Sequence, residues 1–274
     1  ATQINAGLGQ IMLGVFVSSS AGIIGIYGVG TQIVQYFQNI GSSVTGVLMP
    51  GIVKLVENGA SPQKLCNEMI RIGRIIFMIL ALIWVGFLTC GNQFVTLWAG
   101  KINANAFFVA LILITVYLVI LPEVVGSQIL WAQNQHREIS ILKIGIVIIN
   151  IGVTLSLMKV NALVGATLGT AVSLLLGDVI LTNIIYKKKL KISLCHYYLG
   201  LIKGIVPCMA ISTVCGMLFG LLKLPGWFGF MCHGTIVFVS FAIPMYLFGM
   251  NKYEKDLING IVHKLFRRKK HESI

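Results

Sequence analysis

Acidic residues are scarce in this chain: only 8 of its 274 residues are Asp or Glu. Charged residues of both signs reach 11%, against about 25% in an ordinary soluble domain. That shortage excludes the charge-rich soluble classes and, with 57% hydrophobic residues, the disordered ones. Mean hydropathy is +0.89, and a soluble fold of this length cannot hide so much apolar surface. Six cysteines are scattered without a C-x-x-C pair, so neither a zinc site nor a disulfide framework is indicated. They read as small buried hydrophobes.

Several motifs are also missing. No G-x-x-x-x-G-K-[ST] loop occurs, so the chain is not itself a nucleotide-driven pump. No H-E-x-x-H, nucleophile elbow or Asp-rich metal cluster occurs either. No catalytic residue, metal site or cofactor is expected, and the chain reads as a non-enzyme. What remains is an all-α integral membrane protein.

Continuous apolar runs of about 20 residues fit spanning helices, whereas barrel strands are shorter and alternate in polarity. Eight runs are present, at roughly 3–20, 24–50, 73–91, 105–130, 139–158, 161–186, 198–222 and 226–249. They leave no room for an aqueous domain, so 1–250 is expected to be one transmembrane bundle and 251–274 a cytoplasmic tail. The net charge of +13 then becomes a topology signal. Lys54, Lys64, Arg71 and Arg74 lie between the second and third runs or at the start of the third; Arg137 and Lys143 flank the start of the fifth. Lys187, Lys188, Lys189 and Lys191 lie between the sixth and seventh, Lys203 lies in the first turns of the seventh, and seven more basic residues lie in the tail. The alternate loops carry one lysine each: Lys101, Lys159 and Lys223. By the positive-inside rule both ends of the chain are cytoplasmic. A basic chain of this kind needs a lipid bilayer, not a nucleic acid. The tail repeats apolar pairs every four residues (Leu257/Ile258, Ile261/Val262, Leu265/Phe266), the pattern of a basic amphipathic helix on the inner leaflet.

The second run is the most informative. Gln32, Gln35, Tyr36, Asn39, Ser42 and Ser43 recur at the spacing of one helix face. Hydrogen-bonding side chains are costly against lipid, so this face should meet protein or a water-filled cavity. Uncharged amides and hydroxyls both donate and accept, which suits sugar hydroxyls. Asn5 and Gln10 extend the same surface. Glu123, after Pro122, and Asp178 are acids within apolar runs and are candidates for H⁺ or Na⁺ coupling. Gly165, Gly169, Ser173 and Gly177 form a four-residue stripe suited to close helix packing.

Asn5-x-x-x-x-Gln10-Ile11-Met12-Leu13-Gly14, then Gly25-Ile26-Tyr27, then the polar helix ending at Leu48-Met49-Pro50, resemble the seventh and eighth helices of polysaccharide flippases. These are the O-antigen and capsule repeat-unit transporters of the multidrug/oligosaccharidyl-lipid/polysaccharide exporter superfamily. Phe94-Val95-Thr96-Leu97-Trp98-Ala99-Gly100 resembles the short outer segment after that family's ninth helix. The resemblance implies the C-terminal part of a fourteen-helix architecture in a bacterial cytoplasmic (inner) membrane. The first residue is Ala rather than Met, which fits a chain lacking about six preceding helices. Gly14, Gly25, Tyr27 and Pro50 would be structural motif residues. The implied cargo is an undecaprenyl-pyrophosphate-linked oligosaccharide flipped to the outer leaflet for O-antigen, lipopolysaccharide or capsule biosynthesis. Other polysaccharide-assembly membrane proteins are implied partners. One departure stands out: Gly9 occupies the place of an acid found in many members. No Lys or Arg lies deep in a run, so Lys143 and Lys203 are the inner-mouth cations left for a pyrophosphate. The alternatives are an ion-coupled drug or metabolite antiporter of the same superfamily and a membrane-embedded polysaccharide polymerase.

Overall fold

A computed structural model describes residues 2–16, 21–135 and 137–260; the side chains of 2–6 and 47–49 lie outside that description. The side chain of Asn5, those of Leu48 and Met49, and the tail beyond residue 260 are therefore outside the described residues. The described residues are helical apart from short connections, with no strand among them.

Helix α1 is Thr2–Phe16, α2 Ala21–Glu57, α3 Pro62–Ala99 and α4 Ala106–Ala132. Helix α5 is Arg137–Met158, and α6 (Ala162–Leu174) runs through a π-helical stretch, Leu175–Leu181, into α7 (Thr182–Lys189). Short α8 (Leu194–Ile202) precedes α9 (Ile205–Gly220) and α10 (Gly226–Pro244), which closes in a π turn, Met245–Gly249. A last helix, α11, covers 252–260. Five of these are long and apolar enough to cross a membrane, or seven if each bent pair is one span. The bent pairs are α2, which turns 47° between Ala21–Gly46 and Pro50–Glu57, and α8–α9, which turn 41°. This is the architecture of a multi-pass membrane protein.

Local chemistry explains these breaks. Pro50 removes a backbone donor where α2 turns. Gly204, between α8 and α9, takes φ +80°, a left-handed conformation open to glycine. Ser61 caps α3, its Oγ accepting from the Lys64 amide at 3.4 Å, with Pro62 in the first turn. At 38 residues α3 is about 57 Å long, well beyond a bilayer core of about 30 Å. It begins at Pro62 rather than near 73 because Lys64, Glu68 and Arg71 extend it on the polar side. Glu68 and Arg71 pair at 3.1 Å along that extension.

The core lies where α2, α3 and α4 pack together. Leu80, Ala81, Ile114 and Val125 are all essentially solvent-free there. The four-residue stripe packs α6 onto α5. A Cβ on Gly165 would stand 2.4 Å from the Met158 amide nitrogen, and one on Gly169 would stand 2.6 Å from Thr154 Cα. On the far side, Ser212 Oγ donates to the Val237 carbonyl at 2.9 Å, joining α9 to α10. All six cysteines are free: Cys66, Cys90 and Cys208 are buried, Cys215 and Cys232 are half-buried, and Cys195 is exposed.

Candidate functional site

The polar face of α2 opens on a cavity of about 970 Å³ shared with α1, α4 and α6. Gln10, Gln32 and Gln35 line it, with Gly25 at its wall. The sequence reading missed Thr31, Gln38, Tyr117 and Thr170, which line it as well. Gln38 lies three residues beyond Gln35, so helical spacing alone could have found it. It is a hydrogen-bonding neighbour of the Tyr117 hydroxyl. Among the described residues, no Lys, Arg, His, Asp or Glu lines this cavity.

The remaining stripe residues diverge from it. Tyr36 is half exposed and lines a second, apolar cleft of about 510 Å³ between α2, α3 and α10. That cleft carries Phe37, Phe87, Phe94, Trp98 and Phe230. Gln32 bridges the two spaces, its Nε2 donating to the Tyr36 hydroxyl at 2.9 Å. Trp98 lines both. Asn39, Ser42 and Ser43 are exposed and line neither cavity; Ser43 Oγ donates to the Asn39 carbonyl at 2.7 Å. The whole polar stripe is thus unpacked by this chain's own helices.

The motif residues fall in different settings. Tyr27 is fully buried and shares a 3.4 Å hydrogen bond with Thr170 Oγ1. Its hydroxyl occupies the space beside Gly9, where a Cβ would lie 2.1 Å from the phenol oxygen. An acidic side chain at position 9 and Tyr27 in this place are mutually exclusive. Gly14 is exposed with nothing within 4 Å of a Cβ, and Pro50 is exposed at the bend of α2.

Neither acid of the apolar runs lines this cavity, although Asp178 interacts electrostatically with Tyr117, which does. Asp178 sits in the π-helical stretch, a feature often found at functional sites. Its Oδ1 is 3.6 Å from Lys143 Nζ, so one candidate coupling acid and one candidate mouth cation form a pair. Gly177 beside it lets α5 come close, since a Cβ there would meet Ile146 Cγ1 at 2.0 Å. Lys203 has an exposed side chain, and its carbonyl accepts from Arg74 at 2.8 Å.

Glu123 is 2% exposed. Asn183 Nδ2 donates to its Oε2 at 2.9 Å, and the Tyr198 hydroxyl donates to its Oε1. Tyr186 donates to the Glu123 carbonyl at 3.0 Å and shares a hydrogen bond with Ser127 at 2.7 Å. Asp178 interacts with Glu123 electrostatically. Asn183, Tyr186 and Tyr198 were not singled out in the sequence, because their link to Glu123 spans 60 to 75 residues.

No protein-family model matches the chain, and neither does a curated protein or a solved structure. The described residues form a multi-pass, all-helical membrane protein in which a polar cavity free of charged side chains lies beside an aromatic cleft.

Proposed function

We propose that this chain is the C-terminal part of a transporter, not an enzyme, that moves a lipid-linked oligosaccharide repeat unit from the inner to the outer leaflet for O-antigen or capsule assembly. One observation carries the reading. A polar cavity without charge lies next to an aromatic cleft, the two sharing Trp98 and bridged by Gln32 and Tyr36. A glycan needs neutral donors and acceptors, and an isoprenoid tail needs an apolar surface; an amphipathic cargo needs both at once. The exposed Asn39 and Ser42 side chains support a water-filled cleft between lobes, since lipid would leave these groups unsatisfied. In this reading α1 to α10 make eight crossings of a bacterial cytoplasmic membrane, with the basic loops inside. Lys143 is held by Asp178, so the pyrophosphate draws its cations from Lys203 and from elsewhere in the transporter.

A second reading is favoured by the cleft itself. Its aromatic lining and a buried acid would suit an ion-coupled antiporter of apolar cations. Translocation of lipid-linked oligosaccharide in reconstituted vesicles separates them. The triple change of Gln32, Gln35 and Gln38 to Ala is expected to abolish flipping while leaving the protein folded. Unimpaired flipping, or transport of organic cations instead, would overturn the glycan reading.

A further inference from the structure

Three acids in this chain are buried or nearly so, and their partners differ in kind. Glu254 is bound by the Arg74 guanidinium, with Nε to Oε1 at 2.7 Å. Asp178 is paired with Lys143. Among the described residues, the carboxylate of Glu123 is hydrogen-bonded only by neutral groups, the Tyr198 hydroxyl and the Asn183 amide. A fixed cation keeps a carboxylate ionised. A hydroxyl does not, because it can donate to a carboxylate or accept from a carboxylic acid.

The Asn183 amide adds a second asymmetry. Its Nδ2 also donates to the Val179 carbonyl at 2.8 Å, which sets its orientation because a carbonyl only accepts. Its Oδ1 is left buried without a partner. Buried polar atoms are normally satisfied, so this spare acceptor beside an acid calls for an explanation. A protonated carboxyl brings one extra O–H donor into the cluster. Asn183 Oδ1 supplies spare acceptor capacity, while the Tyr198 oxygen already accepts from Asn183 Nδ2 at 2.7 Å.

We propose that Glu123, with Asn183 and Tyr198 as positioning residues, is a reversible proton-binding site whose state is passed to α8. A hydronium O–H bond breaks as its proton adds to a Glu123 carboxylate oxygen, releasing water, and the reverse transfer to water restores the carboxylate; nothing is oxidised or reduced. A metal ion is a poor occupant, because both carboxylate oxygens face N–H or O–H donors rather than lone pairs. The groups facing Glu123 from the packed elements are Asp178 and Tyr186 on the α6–α7 helix and Tyr197 and Tyr198 on α8; Cys66 of α3 stands beside Tyr197.

Helix α8 is the element that feels the change. Tyr198 holds it to Glu123 on one side. Two residues on, the Gly200 carbonyl accepts from Arg74 at 2.8 Å, and so does that of Lys203. Neutralising Glu123 weakens a charge-assisted hydrogen bond. The N-terminal part of α8 then loosens from α4, while Arg74 keeps its other end in place. This inference stands apart from the identity of the cargo.

Difference infrared spectroscopy of the full chain in detergent, recorded across a pH step, tests it. The C=O stretch of a carboxylic acid is expected to appear on acidification. It should be lost in Glu123→Gln, shifted in Tyr198→Phe and retained in Asp178→Asn. A purely structural Tyr198 would not move the band. The proposal is overturned if no such band titrates, if it survives Glu123→Gln, or if it disappears with Asp178→Asn. Should Glu123→Gln fail to fold, an unshifted band in Tyr198→Phe overturns it equally.

Discussion

Arg74 and Glu254, 180 residues apart in the chain, form a buried ion pair in which every guanidinium donor is used. Nε and Nη2 bond the two Glu254 oxygens at 2.7 and 3.3 Å; Nη2 also reaches the Gly249 carbonyl at 2.9 Å. Nη1 takes the Gly200 and Lys203 carbonyls. Glu254 in turn accepts from the Asn251 amide, and Asn251 Oδ1 accepts from the Glu254 amide, both at 2.9 Å. This reciprocal cap starts α11. Arg71 stacks over Tyr253 of the same helix, 3.6 Å from the ring centre. The start of the tail is therefore anchored to α3 and to the α8–α9 bend, not lying free.

Breaking this pair from the acid side leaves a buried guanidinium without its counter-charge. Glu254→Ala is expected to destabilise the folded state by about 3–5 kcal/mol. Arg74→Lys should also destabilise, because an ammonium cannot replace a planar five-donor fork. Thermal or denaturant unfolding in detergent measures both, and an unchanged midpoint in either would remove the anchor from the account.

Gly9 and Tyr27 compete for one volume. Gly9→Ala places a methyl group 2.1 Å from the phenol oxygen and should cost about 1–3 kcal/mol. Tyr27→Phe removes the nearest atom, so the double variant should lose less than the two single losses added together. A double-mutant cycle of unfolding midpoints checks this, and strict additivity would show that the two sites do not touch.

The Lys143–Asp178 pair predicts coupling of a similar kind. Asp178→Asn and Lys143→Met should each destabilise, and the double variant should recover part of the loss, with an interaction of about 0.5–3 kcal/mol. The same cycle run on transport activity separates a structural ion pair from a coupling site. Transport lost in Asp178→Asn but restored in the double variant identifies the pair as structural.

The stripe packing α6 on α5 allows a sharper test. Gly169→Leu would drive a side chain into the Thr154 backbone, where even a Cβ lies 2.6 Å from Cα. Loss of folded yield is expected. A larger residue at Gly14, where nothing lies within 4 Å, should fold normally.

Local periodicity made much of the fold readable. Gly165, Gly169 and Gly177 announce a close helix contact, and Gln32, Gln35 and Asn39 announce a polar face, because helical spacing is written in neighbouring residues. Long-range partners are not. Arg74 stands at the edge of an apolar run, where basic residues ordinarily mark orientation, and nothing near it points to Glu254. Glu123 is visible as an acid in an apolar run, yet Asn183 and Tyr198 reach it only through tertiary packing. The split of the stripe between cavity and cleft was equally hidden, since the cleft that Tyr36 lines is completed by Phe94 and Phe230, residues distant in the chain.

The central claim is that the polar face of α2 opens on water and a glycan rather than on lipid or protein. Cysteines placed singly at Gln35 and Asn39, in a background lacking the native cysteines, test it most directly in intact cells or vesicles. Both should react with a small, membrane-impermeant thiol reagent at some stage of the cycle, and oligosaccharide-lipid should slow the reaction at Gln35. Silence at both positions, with an exposed loop cysteine reacting normally, would contradict the account.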